Sequence, residues 1–214
     1  MLRKTIIITG ASSGIGAALT KELAEESHTL FICARRKPEL ERVAVGFENV
    51  TPFCCDVADV KQLRAFASFV KNQVGTVDVL INCAGTYGAI GSVLDVKSED
   101  WFSTLETNIL GTFGSIQSFI SLMENAESPR IINFAGGGAF DPLPNYSAYA
   151  VSKAGIVRLT ETVARELAPL KISVNAVAPG FVATEIHKST IEAGRERAGS
   201  ALYDMTVEKL RDGA

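Results

Sequence analysis

The chain has 214 residues, with 21 Lys and Arg against 24 Asp and Glu, and 47% of it is apolar. That balance excludes a disordered or collagen-like chain, and basic residues scattered along the sequence form no stripe of the kind that holds nucleic acid. A chain of this length buries about 70% of its unfolded surface, so its core needs neither disulfide nor metal.

Short β-rich runs at Thr5–Thr9, Thr29–Cys33, Val50–Cys55, Val77–Asn82, Arg130–Phe134 and Ile172–Val177 alternate with segments of helical spacing. Ala17, Leu19, Leu23 and Ala24 mark the first helix; Leu63, Phe66, Phe69 and Val70 mark the third; Ile156, Leu159, Val163 and Leu167 mark the fifth. The strand runs are apolar at nearly every position, as strands covered on both faces are. Regular alternation predicts an α/β fold: a doubly wound parallel sheet of about six strands with helices on both faces. No linker or repeat divides the chain, so one domain over 1–214 is expected. Beyond Pro179-Gly180 the sequence turns polar, rich in Glu and Arg, and residues from about 184 to 214 are expected to form a lid or appendage.

Cys33, Cys54, Cys55 and Cys83 lie in apolar runs without a C-x-x-C spacing, and read as buried thiols of a reducing cytoplasm. The two histidines, His28 and His187, lie far from them, and no metal site is expected. The opening Met-Leu-Arg-Lys-Thr and the apolar run Ile6–Ile8 are too short for a signal-peptide core or a membrane span.

The first strand runs into Thr9-Gly10-Ala11-Ser12-Ser13-Gly14-Ile15-Gly16 and then into a helix. A doubly wound sheet binds a dinucleotide at this turn, where glycine lets the backbone approach a pyrophosphate and the helix N-terminus offers it unpaired N–H groups. Ser12 and Ser13 could add hydroxyl donors. The spacing is Gly-x-x-x-Gly-x-Gly. Arg35 lies 19 residues beyond Gly16, followed by Arg36 and Lys37, where a carboxylate would select NAD and an arginine suits a 2′-phosphate. NADP(H) is therefore the expected cofactor. Asp56 could accept from an adenine amino group or cap the next helix, and Asp59 is the better candidate for the cap.

Tyr149 and Lys153, four apart at the start of a periodic helix, share one face. An ammonium and a cationic nicotinamide beside a phenol lower its pKa from about 10, so that it can protonate a carbonyl oxygen or deprotonate an alcohol.

Together, Thr9-Gly10-x-x-x-Gly14-x-Gly16, Asn82-Cys83-Ala84-Gly85, Asn108, Tyr149-x-x-x-Lys153 and Pro179-Gly180 resemble, in order and context, the short-chain dehydrogenase/reductase family over residues 4 to about 185. The resemblance implies a Rossmann-like sheet and an oxidoreductase acting on a ketone or secondary alcohol. By it, Gly10, Ser12, Ile15 and Gly16 line the pyrophosphate turn, Asp56 and Val57 hold the adenine, and Asn82, Ala84 and Gly85 pass beneath the ribose. Tyr149 is the acid-base, Lys153 binds the nicotinamide ribose and tunes Tyr149, and Asn108 holds a water in the proton relay. Pro179, Gly180, Val182 and Thr184 fix the carboxamide. The helices beginning near Ser98 and Ser147 correspond to the family's dimer faces, implying a homo-oligomer, dimer or tetramer.

Two departures stand out. The family's catalytic serine follows the fifth strand, where this chain reads Phe134-Ala135-Gly136-Gly137-Gly138. Counting back from Tyr149 reaches Gly136; aligning on Asn133-Phe134 reaches Ala135, the favoured vacant position. Loss of one oxyanion donor costs about 10²–10³ in rate, so activity is expected to be impaired. Ser147 fits an N-cap of the catalytic helix. The chain also stops at Asp212-Gly213-Ala214 without the family's further helix and terminal edge strand.

Phe140, Pro142, Pro144 and Tyr146 with Phe181, His187 and Ile191 would give an apolar pocket for a small carbonyl substrate. His187 could touch substrate, but reads more simply as solvated. Arg195 and Arg197 could draw an anionic substrate, but beside Glu192 and Glu196 they read as a salt-bridged solvent face. A second function stays open: a non-catalytic NADP-binding or sensing protein on the same fold.

Overall fold

The computed structural model describes residues 3–211. Six parallel strands, β1 (Thr5–Thr9), β2 (Thr29–Ala34), β3 (Val50–Cys54), β4 (Val79–Asn82), β5 (Arg130–Phe134) and β6 (Ser173–Val177), form one sheet in the order β3-β2-β1-β4-β5-β6. The chain thus winds outward from β1 to β3, then crosses back to lay β4 on the other side of β1. The crossovers carry α1 (Gly14–Glu25), α2 (Lys37–Ala44), α3 (Val60–Gln73), α4 (Ser98–Leu105), α5 (Gly111–Met123) and α6 (Ser147–Glu166). A π-helical turn, Glu106–Leu110, joins α4 to α5 without a break.

Successive residues of β1 feed opposite faces, as the two-residue strand period requires. Ile7 joins Leu80, Ile131, Phe66 and Phe119 on one face. Ile6 and Ile8 join Leu30, Ile32, Ile81 and Leu40 on the other. The rings of Phe53 and Phe66 stack at 5.0 Å, and Phe119 meets Phe66 edge-on at 5.2 Å.

Strand ends differ slightly from the sequence reading. Val77 precedes β4 because its N–H goes to the Leu122 carbonyl, and Ile172 precedes β6 because its N–H goes to Leu167. Cys33 and Cys55 are buried as expected, but Cys54 is exposed. Its strand is the sheet edge, where an outward side chain has no neighbouring strand to cover it.

The polar stretch after Pro179 forms a short 3₁₀ turn, Glu185–His187, then α7 (Lys188–Ala198) and α8 (Ser200–Arg211). The last residues of the expected lid, 212–214, lie outside the described residues, as do Met1 and Leu2. Among the described residues β6 is an edge strand, no helix is long and apolar enough to cross a membrane, and no group of three or more His, Cys, Asp or Glu could hold a metal ion.

Candidate active site

Because every strand is parallel, all six end on one edge, and the order reverses between β1 and β4. A cleft of about 740 Å³ opens there, bounded by the turns after the strands and by the segment after β6. The expected residues Gly10, Ser12, Ser13, Gly14, Ile15, Gly16, Arg35, Arg36, Asp56, Val57, Ala84, Gly85, Ala135, Tyr149, Lys153, Pro179, Gly180, Val182 and Thr184 all line it.

At one end the backbone is the wall. Gly10 has φ +69°, and a Cβ there would lie 2.6 Å from the Cα of Ala84. A Cβ on Gly16 would lie 2.5 Å from the Gly10 carbonyl oxygen. Neither position admits a side chain. Ser13, the N-cap of α1, makes no side-chain cap bond, and the first turn carries no acid. The leading N–H groups and the positive end of the helix are left for an anion.

The Ser13 hydroxyl instead accepts from Arg36 Nη2 at 2.8 Å, as does Ser12 at 3.2 Å, while Arg36 Nη1 reaches Glu185 Oε2 at 3.2 Å. Lys188 also bonds Glu185, and the two cations hold its carboxyl below the usual range. Arg35 stands 3.8 Å from Asp56 Oδ2, an exposed pair worth little by itself. Asp56 Oδ1 accepts the Ala58 N–H at 3.0 Å, and Asp59 is the true cap of α3, accepting from Lys61 N at 2.8 Å and Gln62 N at 3.4 Å.

At the other end, the first turn of α6 carries Tyr149 and the second Lys153. Burial drives both toward their neutral forms: Tyr149 is pushed above the ordinary phenol value, and Lys153 is lowered to about 8. Lys153 Nζ donates to the Phe134 carbonyl at 2.7 Å and lies 5.7 Å from the Tyr149 ring centroid. Burial is the cause of the Tyr149 shift. A Cβ on Gly136 would lie 2.6 Å from Tyr149 Oη. The backbone of Gly136 thus faces the phenol directly.

Asn82 and Asn108 do not reach the cleft. Asn82, buried at the end of β4, donates to Asn133 Oδ1 at 2.9 Å, and Asn133 donates to Thr160 Oγ1 at 2.9 Å. Asn108 sits in the π turn, a distortion that recurs at functional sites. Its Oδ1 accepts the Thr86 N–H at 2.9 Å, and its Nδ2 donates to the Thr86 carbonyl at 2.9 Å and to Ser152 Oγ at 2.8 Å. Both asparagines form buried struts, and Asn108 Oδ1 lies with Lys153 Nζ against Gly85, 3.5 and 3.3 Å from where its Cβ would be. Asn133, Thr160 and Ser152 complete those struts, and their partners stand 27 to 51 residues away.

Other expectations are corrected. Tyr146, not Ser147, holds the N-cap position of α6, and Ser147 Oγ accepts from Trp101 Nε1 at 3.1 Å. Phe140 is exposed, and Tyr146 is buried behind the wall, donating to Thr190 Oγ1 at 3.0 Å. The apolar lining near Tyr149 comes from the expected Phe181 together with Tyr87 and Leu143. Arg195 forms an exposed salt bridge as expected, but to Asp204 of α8 at 2.8 Å, and Arg197 donates to the Ile90 carbonyl at 2.7 Å. Gly194, with φ +78°, breaks the helical phase that would have set them beside Glu192 and Glu196. His187 is buried, bonded to Tyr87 and Val182 and stacked on Phe181 at 4.1 Å.

Comparison with known proteins agrees with this arrangement. The 3-oxoacyl-(acyl-carrier-protein) reductase FabG of Thermotoga maritima is 35% identical over 204 residues, covering 93% of this chain and 82% of its own. A crystal structure of an actinorhodin polyketide ketoreductase variant with NADPH superposes with a TM-score of 0.87 at 29% identity, covering 99% of this chain and 84% of that one. An NAD+-bound xylitol dehydrogenase gives 0.79 at 33% identity, covering 83% and 70%. The short chain dehydrogenase family profile matches residues 4–194. The chain belongs to the short-chain dehydrogenase family.

Proposed function

We propose that the chain is an NADP(H)-dependent oxidoreductase that interconverts a ketone and a secondary alcohol. One observation carries the reading: a single cleft holds a glycine turn and two guanidinium groups at one end and the buried Tyr149–Lys153 pair at the other. The site fits a dinucleotide. The glycines leave a cradle that any Cβ would fill, the α1 N-terminus is uncapped, and no carboxylate ends β2, where Arg35 and Arg36 stand. When bound, the cofactor supplies or takes the hydride.

Tyr149 holds its proton at neutral pH because burial disfavours the phenolate, which suits it to protonate a carbonyl oxygen at the cleft floor. Lys153 binds the ribose hydroxyls, and with a pKa of about 8 it passes protons readily at neutral pH. Asp56 and Val57 border the adenine end; Val182 and Thr184 lie along the carboxamide end. Gly136, rather than Ala135, is the position of the family's serine in this reading, because its absent side chain points at Tyr149 Oη. Reduction is slowed accordingly. The relatives named for 3-oxoacyl and polyketide substrates, with the apolar wall of Tyr87, Leu143 and Phe181, support a 3-oxo thioester or similar ketone.

The reading includes one domain in the reducing cytoplasm, supported by four unpaired thiols. It also includes a homo-oligomer, dimer or tetramer, supported by exposed Phe102, Leu110, Phe113 and Val151 along α4 to α6. Sedimentation tests the oligomer; a monomer at micromolar concentration contradicts it.

Calorimetric titration with NADP+ and NAD+, followed by NADPH oxidation with 3-oxoacyl thioesters and simple ketones, tests the function. Tighter NADP+ binding and slow turnover are expected. Tight binding without turnover, unrescued by Gly136→Ser, would favour the non-catalytic binder, a reading that the missing hydroxyl at 135 and 136 supports.

A further inference from the structure

His187 is the one histidine of the lid, and it faces inward at 6% exposure. Its Nε2 lies 3.1 Å from the Val182 carbonyl oxygen, and its Nδ1 lies 3.2 Å from Tyr87 Oη. A carbonyl oxygen only accepts, so Nε2 carries a hydrogen. In a neutral ring Nδ1 is then the acceptor, and Tyr87 donates its hydroxyl. Burial supports the neutral form.

The imidazole plane is fixed by Phe181, stacked at 4.1 Å with 19° between the rings. Tyr87 in turn stands edge-on to the Tyr149 ring at 4.7 Å and to Tyr146 at 5.2 Å. One imidazole thereby ties the backbone after β6 to the aromatic wall on which the proposed acid rests. The partners are 100 residues apart in sequence on one side and five on the other.

We infer that His187 is a positioning residue for the nicotinamide end of the cleft: as a neutral Nε2–H imidazole it clamps the Val182 backbone to Tyr87, and through Tyr87 it sets the ring plane of Tyr149. The inference rests on the proposed function, in which Val182 lies along the carboxamide. Loss of the clamp frees the Val182 segment and removes no hydrogen bond of the glycine turn or of Arg36. The effect therefore falls on one half of the cofactor.

His187→Phe keeps a ring to stack on Phe181 and removes both hydrogen bonds. Titration is expected to show NADP+ binding weakened about tenfold, with 2′,5′-ADP, which lacks the nicotinamide, bound within about twofold of the parent. Tyr87→Phe should weaken NADP+ in the same sense, and the double variant should be no weaker than the weaker single one. Equal weakening of both ligands would mark His187 as merely structural and overturn the inference, as would no change in either. In the unaltered protein, ¹⁵N NMR of the histidines should show His187 as the Nε2–H tautomer at neutral pH; an Nδ1–H tautomer or an imidazolium overturns the clamp. If the unaltered protein binds neither NADP+ nor 2′,5′-ADP, the dinucleotide reading fails, while the tautomer still decides the clamp.

Discussion

At the glycine-turn end of the cleft the backbone makes the wall, whereas at the Tyr149 end residues from four separate segments make it. Gly10 and Gly16 are shaped by what cannot fit, with a Cβ at either meeting backbone atoms at 2.6 and 2.5 Å. Tyr149, Lys153, Gly136, Tyr87 and His187 are shaped by what they touch. A surface built by exclusion fails abruptly when atoms are added. A surface built from contacts is tuned by degrees.

That contrast orders the expected effects. The largest belongs to Gly16→Val, which drives a branched side chain into the Gly10 carbonyl: stability falls by about 3 kcal/mol or more and NADP+ binding is lost, as calorimetry and titration would record. Unchanged binding would show that the turn can relax and blur the difference between the two ends. Next comes Gly136→Ser. A hydroxyl there should raise the rate of NADPH-dependent reduction by about 10- to 100-fold, with the phenol shifting slightly to admit the new Cβ, whereas Ala135→Ser should change it less than about twofold. The reverse ranking would return the vacant position to Ala135.

Lys153 gives a smaller, thermal effect. Its value of about 8 lies below the ordinary 10.5 because burial disfavours the ammonium. The unfolded chain then holds the proton more tightly, so this group lowers stability in full below about pH 8 and ceases to do so as pH rises toward 10.5. Lys153→Met, which loses reduction, should nonetheless melt about 3–8 °C higher at pH 7. That gap should narrow as pH rises from 8 toward 10.5; a gap independent of pH would contradict the burial argument. The smallest effect is at the adenosine end. Glu185 occupies Arg36 in the free protein. Glu185→Gln should therefore tighten NADP+ about two- to fivefold, with NAD+ little affected, read by titration at low salt.

The same contrast explains what the amino-acid order reveals. Glycine at 10, 14 and 16 between a strand and a helix, or Arg35 and Arg36 at a strand end, is a pattern visible within a few residues, even though the contact that excludes a side chain at Gly10 comes from Ala84. So is the apolar character of β1 to β6, and the Tyr149–Lys153 pair needs only one helical turn. The Tyr87–His187 contact, the Arg197 bond to Ile90 and the Asn82–Asn133 link join residues 100, 107 and 51 positions apart. Nothing local marks them. His187 in a polar stretch looks solvated until its turn packs it against Tyr87 and Phe181, and the arginines' partners change because Gly194 resets the helical phase.

The division of labour between the two ends is tested most directly by Tyr149→Phe, assayed for NADP+ affinity and for NADPH oxidation with a 3-oxoacyl thioester in the same preparation. The expected result is affinity within about twofold of the parent and a rate lower by about 10²–10⁴. A reductase rate that survives the loss of the phenol, or affinity that falls with it, would contradict the assignment of Tyr149 as the acid of this cleft.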